Sequence, residues 1–150
     1  MSKFSLEGKS AIITGGASGI GKAISKTFAQ QGAHIHILEF NKERGEQTAK
    51  EIIEAGGQVN FYQCDVSNHP QVKEIIGTIA KNHNIDILVN NAGIAHIGNI
   101  EAVEEADLDR LYNVNIKGVY NCIKASLPAL KKNGGVILNL ASIASSVGIN

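Results

Sequence analysis

The sequence alternates short apolar runs with longer amphipathic segments, and this alternation constrains the fold more than any other feature. Each apolar run is long enough for a strand, whereas the segments between the runs carry apolar residues at helical spacing. Strands that alternate with helices predict a parallel sheet covered by helices on both faces. We therefore predict a doubly wound α/β domain, with strands at residues 10–14, 34–40, 58–66, 86–90 and 135–141.

Glycine and proline residues mark the expected ends of the helices. The Gly56-Gly57 pair should end the second helix. Pro70 fits the first turn of the third helix, where its missing N–H costs nothing. A later helix should begin near Asp107, and Pro128 is expected to kink or end it because proline removes a hydrogen bond inside a helix.

Charge and cysteine content exclude several classes of protein. The 150 residues hold 14 Lys plus Arg and 14 Asp plus Glu, so the formal net charge of zero provides no basic field for nucleic acid or anionic membrane. No apolar run approaches the ~18 residues of a membrane span, and the N-terminus lacks the apolar run of a signal peptide. Cys64 and Cys122 form no CxxC pair. We predict a single cytoplasmic domain, residues 1–150, with reduced thiols and with neither nucleic acid nor membrane as a partner.

The first predicted strand runs directly into TGGASGIG, Thr14 to Gly21, where a helix begins. Gly15, Gly19 and Gly21 allow the backbone to turn tightly and to approach a ligand closely. The start of the following helix presents free N–H groups and a positive dipole end, which suit a diphosphate. A tight turn without a ligand is the alternative, but the strand before and the helix after favour a dinucleotide site.

The second predicted strand carries Glu39 near its end, at the distance from the glycines where an acid would bind the adenosine ribose. A carboxylate at this place would repel a 2′-phosphate, and Phe40 stands where a basic residue would have indicated NADP. NAD is therefore favoured over NADP. Lys22, Lys42 and Arg44 lie close in sequence and keep NADP open as the less favoured cofactor.

Five motifs in order along the chain resemble the short-chain dehydrogenase/reductase family. They are TGGASGIG, the Cys64-Asp65-Val66 segment, NNAG at 90–93, NVNIKG at 113–118 and NLAS at 139–142. The resemblance implies a Rossmann-like sheet in the order 3-2-1-4-5. It also implies hydride transfer between NAD(H) and a secondary alcohol or ketone, and a homo-oligomer, dimer or tetramer, formed through the helix that carries Asn115.

The resemblance assigns roles to residues of this chain. Ser142 would orient the substrate carbonyl, and Asn115 would hold a water in the active site. The cofactor-binding residues that it implies, together with the glycine loop and the ribose acid, are Gly15, Ser18, Gly19, Ile20, Gly21, Glu39, Asp65, Val66, Asn91, Ala92 and Gly93.

The family's catalytic tyrosine and lysine stand four residues apart after the serine, and this chain shows such a pair only in YNCIK, before the serine. Tyr120 is five residues past Asn115, or about 140° around a helix, so the two side chains can hardly face one pocket. We interpret Tyr120 and Lys124 as structural. We expect the chain to continue past Asn150, with the catalytic pair on a following helix.

Two other functions stay open on the sequence alone. A complete 150-residue chain could be a non-catalytic NAD-binding module or sensor, or an interaction protein with an empty loop. His34 and His36 alternate on the second strand, but without a third ligand a packed or solvated strand face is favoured over a metal site. We therefore expect no metal.

Overall fold

The protein is described by a computed structural model over residues 4–142. The strands are β1 Ser10–Thr14, β2 His34–Glu39, β3 Gln58–Gln63, β4 Ile87–Asn90 and β5 Val136–Asn139. The helices are α1 Gly19–Gln30, α2 Lys42–Glu54, α3 His69–Asn82, α4 Glu105–Tyr112 and α5 Gly118–Asn133, with a π-helical turn, Asn113–Lys117, between α4 and α5.

All five strands run parallel in one sheet, in the order β3-β2-β1-β4-β5. The doubly wound fold and its predicted strand order are therefore confirmed. Side chains alternate between the two faces of β1, because successive residues of a strand point in opposite directions. Ile12 joins the core cluster that α3 and α5 cover, whereas Ile13 joins the cluster that α1 and α2 cover.

Pro128 does not end the last helix, which was one of the two outcomes expected for it. Helix α5 continues to Asn133 and stops before Gly134, whose φ of 71° favours glycine. The helix is buried on both sides of the proline, at Cys122 and at Leu130, where it packs on α3 and the sheet. This packing compensates for the hydrogen bond that Pro128 cannot donate.

Two strands, β3 and β5, are shorter than predicted by three residues each, whereas β2 and β4 are each shorter by one. β3 ends at Gln63 because the chain then turns at Asp65, whose carboxylate accepts from the Ser67 N–H. β5 covers only Val136–Asn139 and is the last strand on its side within residues 4–142. Its Val136 side chain is 62% exposed. The apolar sequence of β5 predicts a further strand beside it, as for a strand covered on both faces, and this stays a prediction.

Both cysteines lie in the core that α3 and α5 cover. Burial raises the pKa of each thiol to about 12, so both stay protonated at neutral pH. Over residues 4–142, no helix has the length and apolar character that crossing a bilayer requires.

Candidate functional site

The glycine loop lies against the segment that follows β4. Gly15 has a φ of 61°, and a Cβ at this residue would stand only 3.0 Å from Ala92 Cα. A Cβ on Gly21 would overlap the Gly15 carbonyl oxygen and the Asn91 amide. The sequence therefore needs glycine at both positions, one for its backbone conformation and the other for space.

The start of α1 is open to a ligand. Ser18 occupies the position before the helix but makes no side-chain hydrogen bond to it. Ser18, Gly19 and Ile20 are all exposed. The first-turn N–H groups therefore remain available to an anion, which the helix dipole also favours.

Thr14 and Asn91 tie the glycine loop to β4. Thr14 Oγ1 accepts from the backbone N–H groups of Asn91 and Ala92, each at 3.0 Å. The Asn91 side chain donates to the carbonyls of Thr14 and Gly15, at 3.0 and 3.1 Å. The Asn91 amide N–H groups are thus occupied within the protein, and this residue positions the loop. Thr14 stands first in the TGGASGIG motif, and nothing in the sequence predicts this role for it.

Glu39 faces the same loop from the end of β2. Its Oε1 accepts from the Asn41 N–H at 3.2 Å, whereas its Oε2 is buried and has no hydrogen-bond partner among the described residues. A buried carboxylate oxygen without a partner is costly, so a hydroxyl donor from a ligand would relieve it. This oxygen is where the resemblance places the adenosine ribose.

One cavity of about 260 Å³ brings together seven of the predicted cofactor residues. It lies beyond the carboxyl ends of the strands, where ligands bind in open parallel sheets. Gly19, Ile20 and Gly21 stand beside it at the start of α1. The predicted residues that line the cavity are Gly15, Ser18, Glu39, Val66, Asn91, Ala92 and Gly93.

Asp65 lines an adjoining cavity of about 550 Å³, which shares Phe40, Ile94 and Val114 with the first. Its Oδ1 accepts from both the N–H and the hydroxyl of Ser67, at 2.9 and 2.7 Å. These bonds fix the orientation of the carboxylate. The shared lining residues show that the two cavities adjoin, and Asp65 lines only the larger one.

Lys22, Lys42 and Arg44, the basic residues that could bind the 2′-phosphate of NADP, differ in their surroundings. Lys22 pairs with Glu51 at 2.9 Å, and Lys42 pairs with Glu46 at 3.7 Å. Arg44 lines the same cavity as Glu39 and forms no ion pair within residues 4–142. Arg44 is therefore the one of the three that could reach a 2′-phosphate.

Asn115 lies in the π-helical turn, and π-turns are frequent at functional sites. Its amide makes two hydrogen bonds with the backbone of Ile94, accepting from the N–H and donating to the carbonyl, both at 2.9 Å. Asn115 thereby fixes the segment after Gly93 against the helix. The sequence predicted the residue, but neither the π-turn nor this bonding.

Ser142 lies three residues past β5, on an exposed stretch at the same edge of the sheet as the glycine loop. The Asn90 side chain donates to Asn139 Oδ1 at 2.8 Å, and the Leu140 N–H donates to the Asn90 carbonyl at 2.9 Å. These bonds align the end of β5 with the end of β4.

Known proteins share both the sequence and this geometry. A family model described as short chain dehydrogenase matches residues 9–150. The 3-oxoacyl-(acyl-carrier-protein) reductase FabG of Thermotoga maritima is 39% identical over 145 residues, which cover 95% of this chain and 59% of the reductase.

Two solved structures extend the comparison to bound cofactors. A 7α-hydroxysteroid dehydrogenase in complex with NADH and 7-oxo glycochenodeoxycholic acid is 36% identical, with a TM-score of 0.89, over 97% of this chain and 58% of that one. A protein described as an NAD(P) dependent gluconate 5-dehydrogenase from Beutenbergia cavernae, with NADP bound at low occupancy, is 30% identical, with a TM-score of 0.91, over 98% of this chain and 59% of that one. The chain thus spans less than two thirds of the length of each relative.

Proposed function

The chain belongs to the short-chain dehydrogenase family, and we propose that it serves an NAD-dependent enzyme that interconverts a secondary alcohol and a ketone. The observation that carries this proposal is the cavity that joins the glycine loop, Glu39 and the Asn91–Gly93 segment. Glu39 Oε2, which is buried and has no hydrogen-bond partner within residues 4–142, and the tight turn that Gly15 and Gly21 allow both fit a dinucleotide. The names of the relatives, reductases and dehydrogenases, favour an enzyme over a non-catalytic binding module.

Different residues of this chain would bind different parts of the cofactor. The first turn of α1, from Gly19 to Gly21, would hold the diphosphate with backbone N–H groups, and Glu39 would accept from the ribose hydroxyls. Asp65 and Val66 would border the adenine. Gly93 would border the nicotinamide half of the cofactor. NAD(H), when bound, supplies or accepts the hydride.

Catalysis would begin with orientation of the substrate. Ser142 would donate a hydrogen bond to the carbonyl oxygen, and the Asn115 turn would keep the neighbouring loop and its water in place. We propose that a tyrosine and a lysine after residue 150 move the proton, as the family resemblance implies. No tyrosine of residues 4–142 lines the cavity that holds Glu39.

Replacement of Glu39 by alanine tests the cofactor assignment. We expect NAD affinity to fall about 10- to 100-fold, since hydrogen bonds to a charged acceptor contribute about 1.5–3 kcal/mol. NADP affinity should rise, because the repulsion of a 2′-phosphate is gone and Arg44 lies in the same cavity. Titration of each cofactor, followed by the quenching of protein tyrosine fluorescence or by calorimetry, measures the ratio of the two affinities.

Glu43→Ala is the matched control, because Glu43 is an exposed acid in the first turn of α2 and lines neither cavity. Its loss removes the same charge from the same region. An NAD-to-NADP ratio that changes no more in Glu39→Ala than in Glu43→Ala would contradict the ribose assignment.

Tyr120→Phe tests the interpretation of YNCIK. Tyr120 is 56% exposed on α5, whereas the neighbouring Asn121 and Cys122 are buried. We expect the full-length protein to keep its turnover within about threefold. If Tyr120 were the general acid, its removal would cost about 10²–10⁴-fold. Steady-state kinetics on an alcohol that the enzyme accepts decide the question, and a loss of several orders of magnitude means that Tyr120 is catalytic.

We also propose that the protein is a cytoplasmic homo-oligomer, dimer or tetramer, that uses the α4–α5 surface. Tyr112, Ile116 and Tyr120 expose more than half of their surface there. The buried, unpaired cysteines fit a reducing compartment. Light scattering of the full-length protein measures the number of subunits.

A further inference from the structure

Three histidines meet at the amino ends of the strands, opposite the edge of the sheet that holds the glycine loop. His34 begins β2, His36 follows on the same face of that strand, and His83 comes directly after α3. Their ligand nitrogens all lie within 4.8 Å of one another, and the ring centroids are 4.5–4.8 Å apart. The fold thus supplies the third histidine that sequence analysis did not connect to the other two.

Hydrogen bonds orient two of the three rings. Asn60 Oδ1 can only accept, so His34 Nε2, 2.6 Å away, donates to it and keeps the lone pair on Nδ1. His36 Nε2 lies 3.1 Å from Ser10 Oγ, and its Nδ1 is buried without a hydrogen-bond partner among the described residues. Imidazole ligands of metals are held in this way, with one nitrogen on a protein oxygen and the other on the metal.

The positive charge beside the cluster is compensated. Lys9 lines the same cavity as His34 and His83, and its ammonium pairs with Asp86 at 3.0 Å. Zinc binds imidazole in its neutral form.

We propose that His34, His36 and His83 form a zinc site whose fourth ligand is water. Three imidazoles and a water are a known tetrahedral set for zinc, with Zn–N distances of about 2.0–2.1 Å and hence N–N separations of about 3.3 Å. The His34 and His36 rings lie stacked, with 8° between their planes, so the partly buried His34 and His83 rings must rotate before all three lone pairs can point at one ion. A cavity of about 300 Å³ beside these two rings has room for the water, which takes up about 30 Å³.

The site would act on stability rather than on the reaction. It joins β2 to the connection between α3 and β4, and it lies at the far end of the strands from the cavity that holds Glu39. Because the three ligands come together only in the fold, zinc binding would stabilise the native state. This inference does not depend on the proposed dehydrogenase function.

The test uses the full chain, freed of metal with a chelator and then titrated with Zn²⁺ against a chromophoric competitor. We expect one Zn²⁺ per chain and a higher Tm at saturation. His34→Gln and His83→Gln should each weaken binding by about 100-fold, since even the loss of an orienting partner costs about 10–100-fold. Ser10→Ala, which removes such a partner from His36, should weaken it by about tenfold.

His96→Gln is the matched control, because His96 lies in the loop before α4, near Asp107 and away from the cluster. It should bind Zn²⁺ as the unchanged protein does. His34 and His83 are half-buried, so their glutamine variants should fold, and circular dichroism checks this. The proposal is overturned if the unchanged protein takes up no stoichiometric Zn²⁺. It is equally overturned if His83→Gln binds as tightly as His96→Gln, or if substituted Co²⁺ lacks the visible absorption of a tetrahedral site.

Discussion

Replacement of Ser142 by alanine should lower the kcat of the full-length enzyme by about 100- to 1,000-fold. The expected loss is that of one hydrogen-bond donor aimed at an oxygen on which charge develops in the transition state. Ser142 stands past β5, at the edge of the sheet where the glycine loop and the Asn91–Gly93 segment also lie. Since the side chain would act on the substrate and not on the cofactor, NAD affinity should stay within about twofold of its original value.

Two further measurements make the Ser142 result interpretable. Ser142→Thr keeps a hydroxyl and should lose less than about tenfold in kcat. A small loss here and a large loss in Ser142→Ala would mean that the hydroxyl, and not the structure of the loop, accounts for the effect. NAD binding, measured on the same alanine variant, shows whether the fold is intact. A full-length protein that binds NAD but turns over no alcohol or ketone would instead support the non-catalytic module.

Much of the fold could be predicted because the apolar pattern of each strand is local. The five parallel strands are read from runs such as Ala11–Ile13, which are buried on both faces. The ends of elements depend on packing that is distant in sequence. Pro128 is an example. Its local preference is to end a helix, but α5 continues past it because α5 packs against α3.

The candidate site divides in the same way. Gly15, Gly21 and Glu39 could be predicted because each stands at a fixed place relative to its own strand or helix. The use of Asn91 to hold the loop could not be predicted, because it depends on the alignment of β4 beside β1. His83 escaped prediction for a similar reason, since nothing in its own neighbourhood points to β2.

Replacement of Gly21 by alanine should weaken NAD binding by at least about 100-fold. The added Cβ would overlap the Gly15 carbonyl oxygen and the Asn91 amide, so the loop and the start of α1 must move apart. That movement would misplace at least two backbone donors of the diphosphate site, and bonds to a charged acceptor contribute about 1.5–3 kcal/mol each. Calorimetric titration with NAD measures the change, and Gly77→Ala, in α3 where a Cβ meets no atom within 4 Å, is the matched control.

Because overpacking at Gly21 also costs about 1–3 kcal/mol of stability, a second variant must separate binding from folding. Ser18→Asp does so, since Ser18 is exposed and makes no capping hydrogen bond, and an aspartate there would cap α1 and raise its stability. The same carboxylate would occupy the anion position and repel the diphosphate by about 1–4 kcal/mol at a separation of 4 Å. We therefore expect a higher Tm together with NAD affinity that is at least about fivefold lower. If Ser18→Asp binds NAD as tightly as the unchanged protein, the diphosphate does not lie at the start of α1, and the loss in Gly21→Ala would reflect folding alone.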